Sequence, residues 1–281
     1  MNTSATTGLF SVLISVYKDD CPEYLRVALE SVYNEQKVKP AQIVIVGDGQ
    51  LTQELIDTIT SFVQKVAGNI VDFFCLDKNQ GLAVALNQGL ARCKYDLVAR
   101  MDADDISLPA RFATQYDFMI THPEIDVCGT YVEEVESDTE KAIAIRKVPL
   151  TDAEIASFGK KRSPVSHPSV MFKKSTVLSF GGYPHFRKSQ DFALWSLLLV
   201  NGAHFANIDQ VLLKMRTGQE LMARRGLGYL KYEYQVLKYQ KKIKFINAFE
   251  FARFLAIRSI FRLLPNTFKK YLYNLVRYVH G

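Results

Sequence analysis

The sequence predicts an α/β fold, a mixed, mostly parallel sheet flanked by helices. Two observations carry this expectation. Apolar runs of strand length alternate with amphipathic segments through the first hundred residues, and strands buried on both faces appear as unbroken apolar runs. Acidic residues follow several of these runs, on the sheet edge where doubly wound folds bind ligands.

The first run, Phe10–Tyr17, is a strand, and Asp20-Cys21-Pro22-Glu23 has the spacing of a capping box with proline in the first turn. It predicts a helix to about Gln36. Ile43–Val46 is β-branched throughout and stops at Gly47-Asp48-Gly49. Leu55, Ile56, Ile59, Phe62, Val63 and Val66 recur at helical spacing. A third strand is expected at 70–76, a helix over Leu82–Arg92 entered through Gly81, and a fourth strand at 96–101. Beyond Asp105 the rhythm changes. Phe112, Tyr116 and Met119 mark a helix. Residues 127–135 and 142–148 flank Ser137–Glu140 as a hairpin, and Thr151–Glu154 is a second capping-box pattern. Residues 169–172 and 205–215 follow as strands, with a helix at 191–200 between them.

Composition narrows the class. The chain has 281 residues, of which 48% are apolar and 12% aromatic, which excludes disorder. Its longest unbroken apolar stretches fall far short of the ~20 residues a membrane-spanning helix needs. Four cysteines without a Cys-x-x-Cys pair give no zinc-ribbon or thioredoxin pattern and suit a reducing, cytoplasmic setting. The N-terminus lacks a basic segment and is expected to be a strand rather than a signal peptide. Charge is unevenly placed: residues 1–213 carry 20 Lys/Arg against 26 Asp/Glu, whereas residues 214–281 carry 15 against 3. An acidic body with a basic tail suits a polyanionic partner, either nucleic acid or an anionic membrane leaflet.

Three acidic signals lie at strand ends or helix starts: Asp48, the run Asp102-Ala103-Asp104-Asp105, and Asp191 preceded by Gln190. Neighbouring carboxylates repel one another unless a cation or hydrogen-bond donors compensate. A hard divalent ion is a natural partner, since Mg²⁺ takes one or two carboxylates plus phosphate oxygens. Taken singly, an Asp-rich turn is equally well explained as a solvated turn with a helix cap.

In combination these pieces resemble the family 2 glycosyltransferases, nucleotide-sugar-dependent enzymes of the GT-A fold, and among them the small bacterial enzymes of O-antigen and exopolysaccharide synthesis. The resemblance runs in order through Val12–Asp20, Ile43–Gly49, Asn79–Leu90, Ala99–Phe112, Ser166–Phe172, Gly181–Pro184 and Ser189–Trp195. Two departures stand out. Gly47-Asp48-Gly49-Gln50 replaces the common Asp-Asp-Gly-Ser, and Gln190-Asp191 replaces Glu-Asp.

The resemblance implies an inverting transfer from a UDP-sugar to a saccharide acceptor, carried on a lipid diphosphate at the inner membrane face, with Mn²⁺ or Mg²⁺ as cofactor. By the resemblance Asp104 is the principal metal ligand and Asp102 shares the metal or the ribose, while Asp105 caps the next turn. Asp48 would accept the uracil N3–H, with the Val16 and Tyr17 backbone flanking the base and Asn79 and Gly81 in the loop over the nucleotide. Asp191 would be the general base, which an inverting displacement needs opposite the leaving diphosphate, with Gln190 beside it at the donor. His167 either contacts the donor diphosphate or metal or is a satisfied structural histidine. Arg100 and Arg111 are expected to balance the carboxylates. Lys214 and Arg216, expected just after the last strand, either meet the diphosphate or are a solvated pair.

Residues 1–218 are thus expected to form the catalytic domain and 219–281 a basic helical region. Phe268–Val279 separates on a helical wheel into apolar and basic sides. Such a helix either packs on the body or lies in an anionic leaflet. Two rivals remain: a nucleotide-sugar-binding module without catalysis, kept open by Gln190, and a nucleic-acid binder. The acidic body and the lack of a nucleic-acid motif speak against the second.

Overall fold

The computed structural model describes residues 6–217 and 227–263; the predicted amphipathic segment Phe268–Val279 lies outside them. In chain order the elements are β1 (Thr6–Val16), α1 (Pro22–Tyr33), β2 (Val38–Gly47), α2 (Gln53–Lys65), β3 (Val71–Cys75), α3 (Leu82–Arg92), β4 (Leu97–Asp102), β5 (Ile106–Ser107) and α4 (Arg111–Thr121). They continue as β6 (Val127–Glu136), β7 (Ala142–Arg146), α5 (Asp152–Gly159), β8 (Met171–Lys173), α6 (Lys174–Ser179), α7 (Gln190–Val200), β9 (Phe205–Thr217), α8 (Leu230–Lys242) and α9 (Ala248–Leu263).

One sheet runs β3-β2-β1-β4-β8-β6-β9-β5, with β7 beside β6. Its first four strands are parallel, as the strand–helix alternation predicts. The second half is mixed: β8 is antiparallel to β4 and β6, whereas β6 and β9 run parallel.

The sheet is buried on both faces, and alternate residues of β1 show why. Phe10, Val12, Ile14 and Val16 pack with α1, α2 and α4, whereas Leu13 packs with α3, Leu194 and Trp195 on the other side. Period-two alternation between two apolar layers demands apolar residues at every position, hence the unbroken runs.

Local signals mostly hold. Gly81 stands before α3 with φ 90°, and Thr151 and Glu154 form the reciprocal capping box. The first box does not form. Pro22 occupies the first turn, Cys21 is the N-cap, and the Asp20 carboxylate instead accepts from the Tyr17 N–H at 2.7 Å. Proline favours the first helical position, which starts α1 one residue too late for Asp20 to cap it.

Helices α8 and α9 pack on the body. Leu237, Phe245, Ile246 and Phe254 cluster with Leu199 of α7, and Gln240 Nε2 donates to Ser196 Oγ at 2.7 Å. The outer side of α9 is uncovered among the described residues, with Phe249 73%, Ile257 56% and Ile260 62% exposed. No helix among the described residues is long and apolar enough to cross a membrane.

Candidate active site

Parallel strands that end together place their following loops together. In register, Val16 of β1 pairs with Gly47 of β2, and Ser15 pairs with Asp102 of β4. This brings Tyr17, Asp48 and the Asp102–Asp105 turn to one edge of the sheet.

Asp48 is 5% exposed. Its N–H donates to Val16 O at 2.8 Å. Its carboxylate ties down the loop before α3: Oδ1 accepts from Gln80 N at 2.8 Å and Gly81 N at 3.2 Å, and Oδ2 from Asn79 Nδ2 at 2.9 Å and Gly81 N at 3.0 Å. Gly49 makes the contact possible. Its φ is 92°, and a Cβ there would stand 2.6 Å from the Asn79 nitrogen. Asp48, Asn79 and Gly81, expected at the donor, therefore form one hydrogen-bonded unit.

In the acidic turn, carboxylate oxygens of Asp102, Asp104 and Asp105 all lie within 4.8 Å of one another. Each meets a different partner. Asp102 is bonded to the guanidinium of Arg100, which is 2% exposed. Asp105 Oδ1 accepts from the Arg216 N–H at 3.0 Å, stitching the turn to β9, while its buried Oδ2 has no partner among the described residues. Asp105 thus ties two strands together rather than capping the next turn, because β5 follows it and pairs with β9. Asp104 reaches solvent at its rim and has no cationic partner in contact among the described residues. Packing around it and the like charges of Asp102 and Asp20 raise its pKa to about 7. Asp105 is raised well above the ordinary carboxylate range by burial and by Asp102 and Asp104. A cluster whose members resist ionising together fits a divalent cation, which would relieve that repulsion and satisfy the orphaned oxygen.

The remaining predicted residues sit as follows. Gln190 is the first residue of α7 and is buried; Asp191 follows, half-buried in the first turn. Burial raises the Asp191 pKa, while the Phe192 N–H and Arg100 oppose the rise. The N-cap is Ser189 in the left-handed region at φ 60°, so Asp191 is not the cap. His167 is 8% exposed, and its Nε2 lies 2.9 Å from Tyr183 Oη. Its ring also packs edge-on against Trp195. Burial first, then Arg100, hold it well below its ordinary pKa. His167 is not part of the acidic cluster.

Three predicted cations are placed differently from expectation. Arg111 is fully buried, but it bonds Arg100 O at 2.7 Å and Gln115 Oε1 at 3.0 Å rather than a carboxylate. Lys214 and Arg216 fall within β9, not after it. Arg216 donates to Ser137 O and Glu140 Oε1 of the β6–β7 turn at 2.6 and 2.7 Å. Two groups escaped the sequence reading, the Tyr183 hydroxyl on His167 and the Asn87 amide. Asn87 clamps the backbone of Tyr183 with bonds of 2.7 and 2.9 Å. Tyr183 lies in the Gly-Gly-Tyr-Pro pattern and Asn87 in the Asn79–Leu90 segment, but neither pattern assigned these residues a role.

A mostly parallel sheet with an acidic turn at its edge, two loops tied together by Asp48 and a carboxylate in the first turn of α7 is the arrangement of a GT-A transferase. The family model for glycosyl transferase family 2 matches residues 11–179. The chain belongs to that family and is a glycosyltransferase. It is 39% identical over 276 residues to an Escherichia coli UDP-Gal:alpha-D-GlcNAc-diphosphoundecaprenol beta-1,3-galactosyltransferase, covering 97% of this chain and 98% of that one. It is 36% identical to the amylovoran biosynthesis glycosyltransferase AmsE of Erwinia amylovora, over 94% of this chain and 98% of that one. Among solved structures, S. aureus TarS 1-349 in complex with UDP-GlcNAc superposes with a TM-score of 0.63 at 14% identity, over 90% of this chain and 71% of that one. The mannosyltransferase PcManGT from Pyrobaculum calidifontis, in complex with GDP-Man and Mn²⁺, gives 0.62 at 15%, over 90% and 69%. At such identities the likeness concerns the fold.

Proposed function

We propose that the protein transfers a sugar from a UDP-sugar, with inversion, to a saccharide carried on a lipid diphosphate, in the assembly of a surface polysaccharide. The near full-length relation to the galactosyltransferase named above supports this reading, and the convergence of Asp102, Asp104 and Asp105 within 4.8 Å carries it.

Residues 1–218 are the catalytic unit in this reading. The Val16–Tyr17 backbone, Asp48, Asn79 and Gly81 hold the uridine, with the Asp48 carboxylate serving both the loop and the uracil N3–H. Asp102 and Asp104 hold Mn²⁺ or Mg²⁺, which when bound supplies a Lewis acid for the donor diphosphate. Asp191 accepts the proton of the acceptor hydroxyl as that oxygen attacks the anomeric carbon. The carbon–oxygen bond to the diphosphate breaks, and UDP leaves with the electron pair. The raised Asp191 pKa suits a base, since burial makes the carboxylate a keener proton acceptor. Gln190 and His167 line the donor side, His167 as a neutral ring fixed by Tyr183.

The basic region from residue 219 rests on an anionic membrane at the cytoplasmic face. The outer side of α9 supports this: Phe249, Arg253, Ile257 and Ile260 share one exposed stripe. A panel of nucleotide sugars, assayed for UDP release with and without Mn²⁺ in the presence of lipid-diphosphate sugars, tests the reading. Release that needs no metal, or no acceptor, would remove it. Uptake of UDP-sugar without turnover would favour the binding-module alternative.

A further inference from the structure

One cavity of the molecule is used by this reading on one wall alone, where Asn79 and Gly81 face the uridine; its other wall is given no role. It has a volume of about 350 Å³ and lies between the loop before α3 and the loop before α7, lined by Asn79, Gln80, Gly81, Val84, His185 and Arg187 among others. None of Asp102, Asp104, Asp105 and Asp191 lines it.

The loop before α7 is held at three points. Asn87 clamps Tyr183, Phe186 packs edge-on against Tyr239 of α8 with centroids 5.3 Å apart, and Ser189 Oγ lies 3.2 Å from Tyr229 Oη. Gly182, with φ 79°, lets the clamp close, because a Cβ there would meet Asn87 Oδ1 at 2.4 Å. Phe186 turns onto α8, and the residues on either side of it, His185 and Arg187, line the cavity. Lys188 comes next, exposed. None of these three side chains has a hydrogen bond or ion pair with any described residue.

The opposite wall supplies no free counter-charge. The carboxylate tethered to it, Asp48, is buried and turned to the N–H groups of Gln80 and Gly81 in the loop before α3. A fixed loop that gathers basic side chains without a carboxylate is self-repelling, and a polyanion removes the repulsion.

We propose that this cavity is the subsite for the diphosphate of the lipid-linked acceptor, held by Arg187 and Lys188 with His185 at its side. The inference rests on the acceptor class proposed above. Position selects the acceptor's diphosphate over the donor's. The donor's diphosphate belongs at the Asp102–Asp104 turn, which the cavity excludes. The acceptor hydroxyl must reach Asp191, and Arg187 and Lys188 precede Asp191 by four and three residues, at most about 15 Å of chain. That upper bound lets one acceptor sugar with its diphosphate span from the cavity to the base.

The test compares two short-chain, water-soluble acceptors bearing the same sugar, one through a diphosphate and one through a neutral alkyl glycoside. In Arg187→Glu/Lys188→Glu, the ratio of kcat/KM for the diphosphate acceptor over the neutral one should fall at least tenfold through KM. The affinity for UDP with Mn²⁺, by calorimetry, should stay within twofold. Both side chains are exposed, so the thermal transition should persist, and Arg187→Gln repeats the test without charge reversal. An unchanged ratio overturns the inference. So does an equal loss on both acceptors, and so does a loss of UDP affinity as large as the loss on the acceptor, which would place the donor's diphosphate there. Wild-type enzyme inactive on both acceptors would instead overturn the functional reading itself, whereas active wild type with an unchanged ratio overturns only the subsite.

Discussion

Replacing Asp48 by Asn tests whether the carboxylate organises the nucleotide loop. The native group accepts from Asn79 Nδ2, Gln80 N and Gly81 N at 2.8–3.2 Å while 5% exposed. In the variant the remaining oxygen can face Gln80 and Gly81, and the Asn79 amide can turn to accept from the new NH₂. The contacts survive and the charge is lost. A hydrogen bond to a charged group contributes ~1.5–3 kcal/mol and a neutral one ~0.5–1.5, so three conversions cost about 3 kcal/mol. Such a loss appears first as local opening of residues 79–81 rather than global unfolding. About 3 kcal/mol is roughly a hundredfold in that opening equilibrium. Hydrogen exchange of the Gln80 and Gly81 amides should accelerate by about that factor, and UDP affinity should fall with it. Exchange within threefold of wild type would refute the argument. A change confined to uracil-over-cytosine preference would show that the carboxylate serves the base alone.

Asp104→Ala should abolish metal-dependent UDP binding, leaving the calorimetric affinity in Mn²⁺ equal to that in EDTA. Without metal the same variant should gain stability relative to wild type as pH rises from 3.8 to about 7 and no further above it, because over that window the unfolded carboxyl ionises before the folded one. Asp191→Asn should leave donor affinity unchanged and cut turnover by ~10²–10⁴. The acidic limb of the wild-type rate profile should lie above the ordinary carboxylate pKa of 3.8, given the raised value of Asp191, and a limb at or below it would count against this assignment. His167 is held neutral well below 6.5. The unfolded chain therefore binds the extra proton first, and stability falls by up to ~1.4 kcal/mol per pH unit below 6.5. Urea titrations of His167→Gln should lack that component. Ile257→Glu/Ile260→Glu should reduce sedimentation with anionic vesicles without lowering turnover on a soluble acceptor; undiminished sedimentation would show that this face is not the membrane contact.

What the sequence revealed and what it hid follow from the range of each signal. β1, β2 and α3 were legible because burial on both faces forces apolar residues at every strand position and a glycine before the helix. In the mixed half the strands themselves were legible except β5, whose two residues are too few for a period; the pairing directions were not, because they are set by partners distant in sequence. The Asp20–Glu23 box failed by one residue because proline fixed the start of α1. At the site, the acidic residues were visible as types at strand ends, but their partners were not. Arg216 reaches Asp105 from 111 residues away and Asn87 meets Tyr183 from 96. Nothing local in Arg111 distinguishes a carboxylate partner from the carbonyl of Arg100 that it bonds.

Those long-range partners divide labour among carboxylates that look alike in sequence. Asp48 spends its charge on the N–H groups of a loop, Asp102 on the buried Arg100, and Asp105 in part on the backbone of β9. Asp191 is moderated by the first turn of its helix. Asp104 has no cationic side chain in contact among the described residues, and the packing around it, then the like charges of Asp102 and Asp20, lift its pKa to about 7. A group in that state gains more from an arriving cation than any neighbour already neutralised by the fold. The fold thus compensates Asp48 and Asp102 and leaves Asp104, at the solvent rim, and the orphaned oxygen of Asp105 to be completed by what binds.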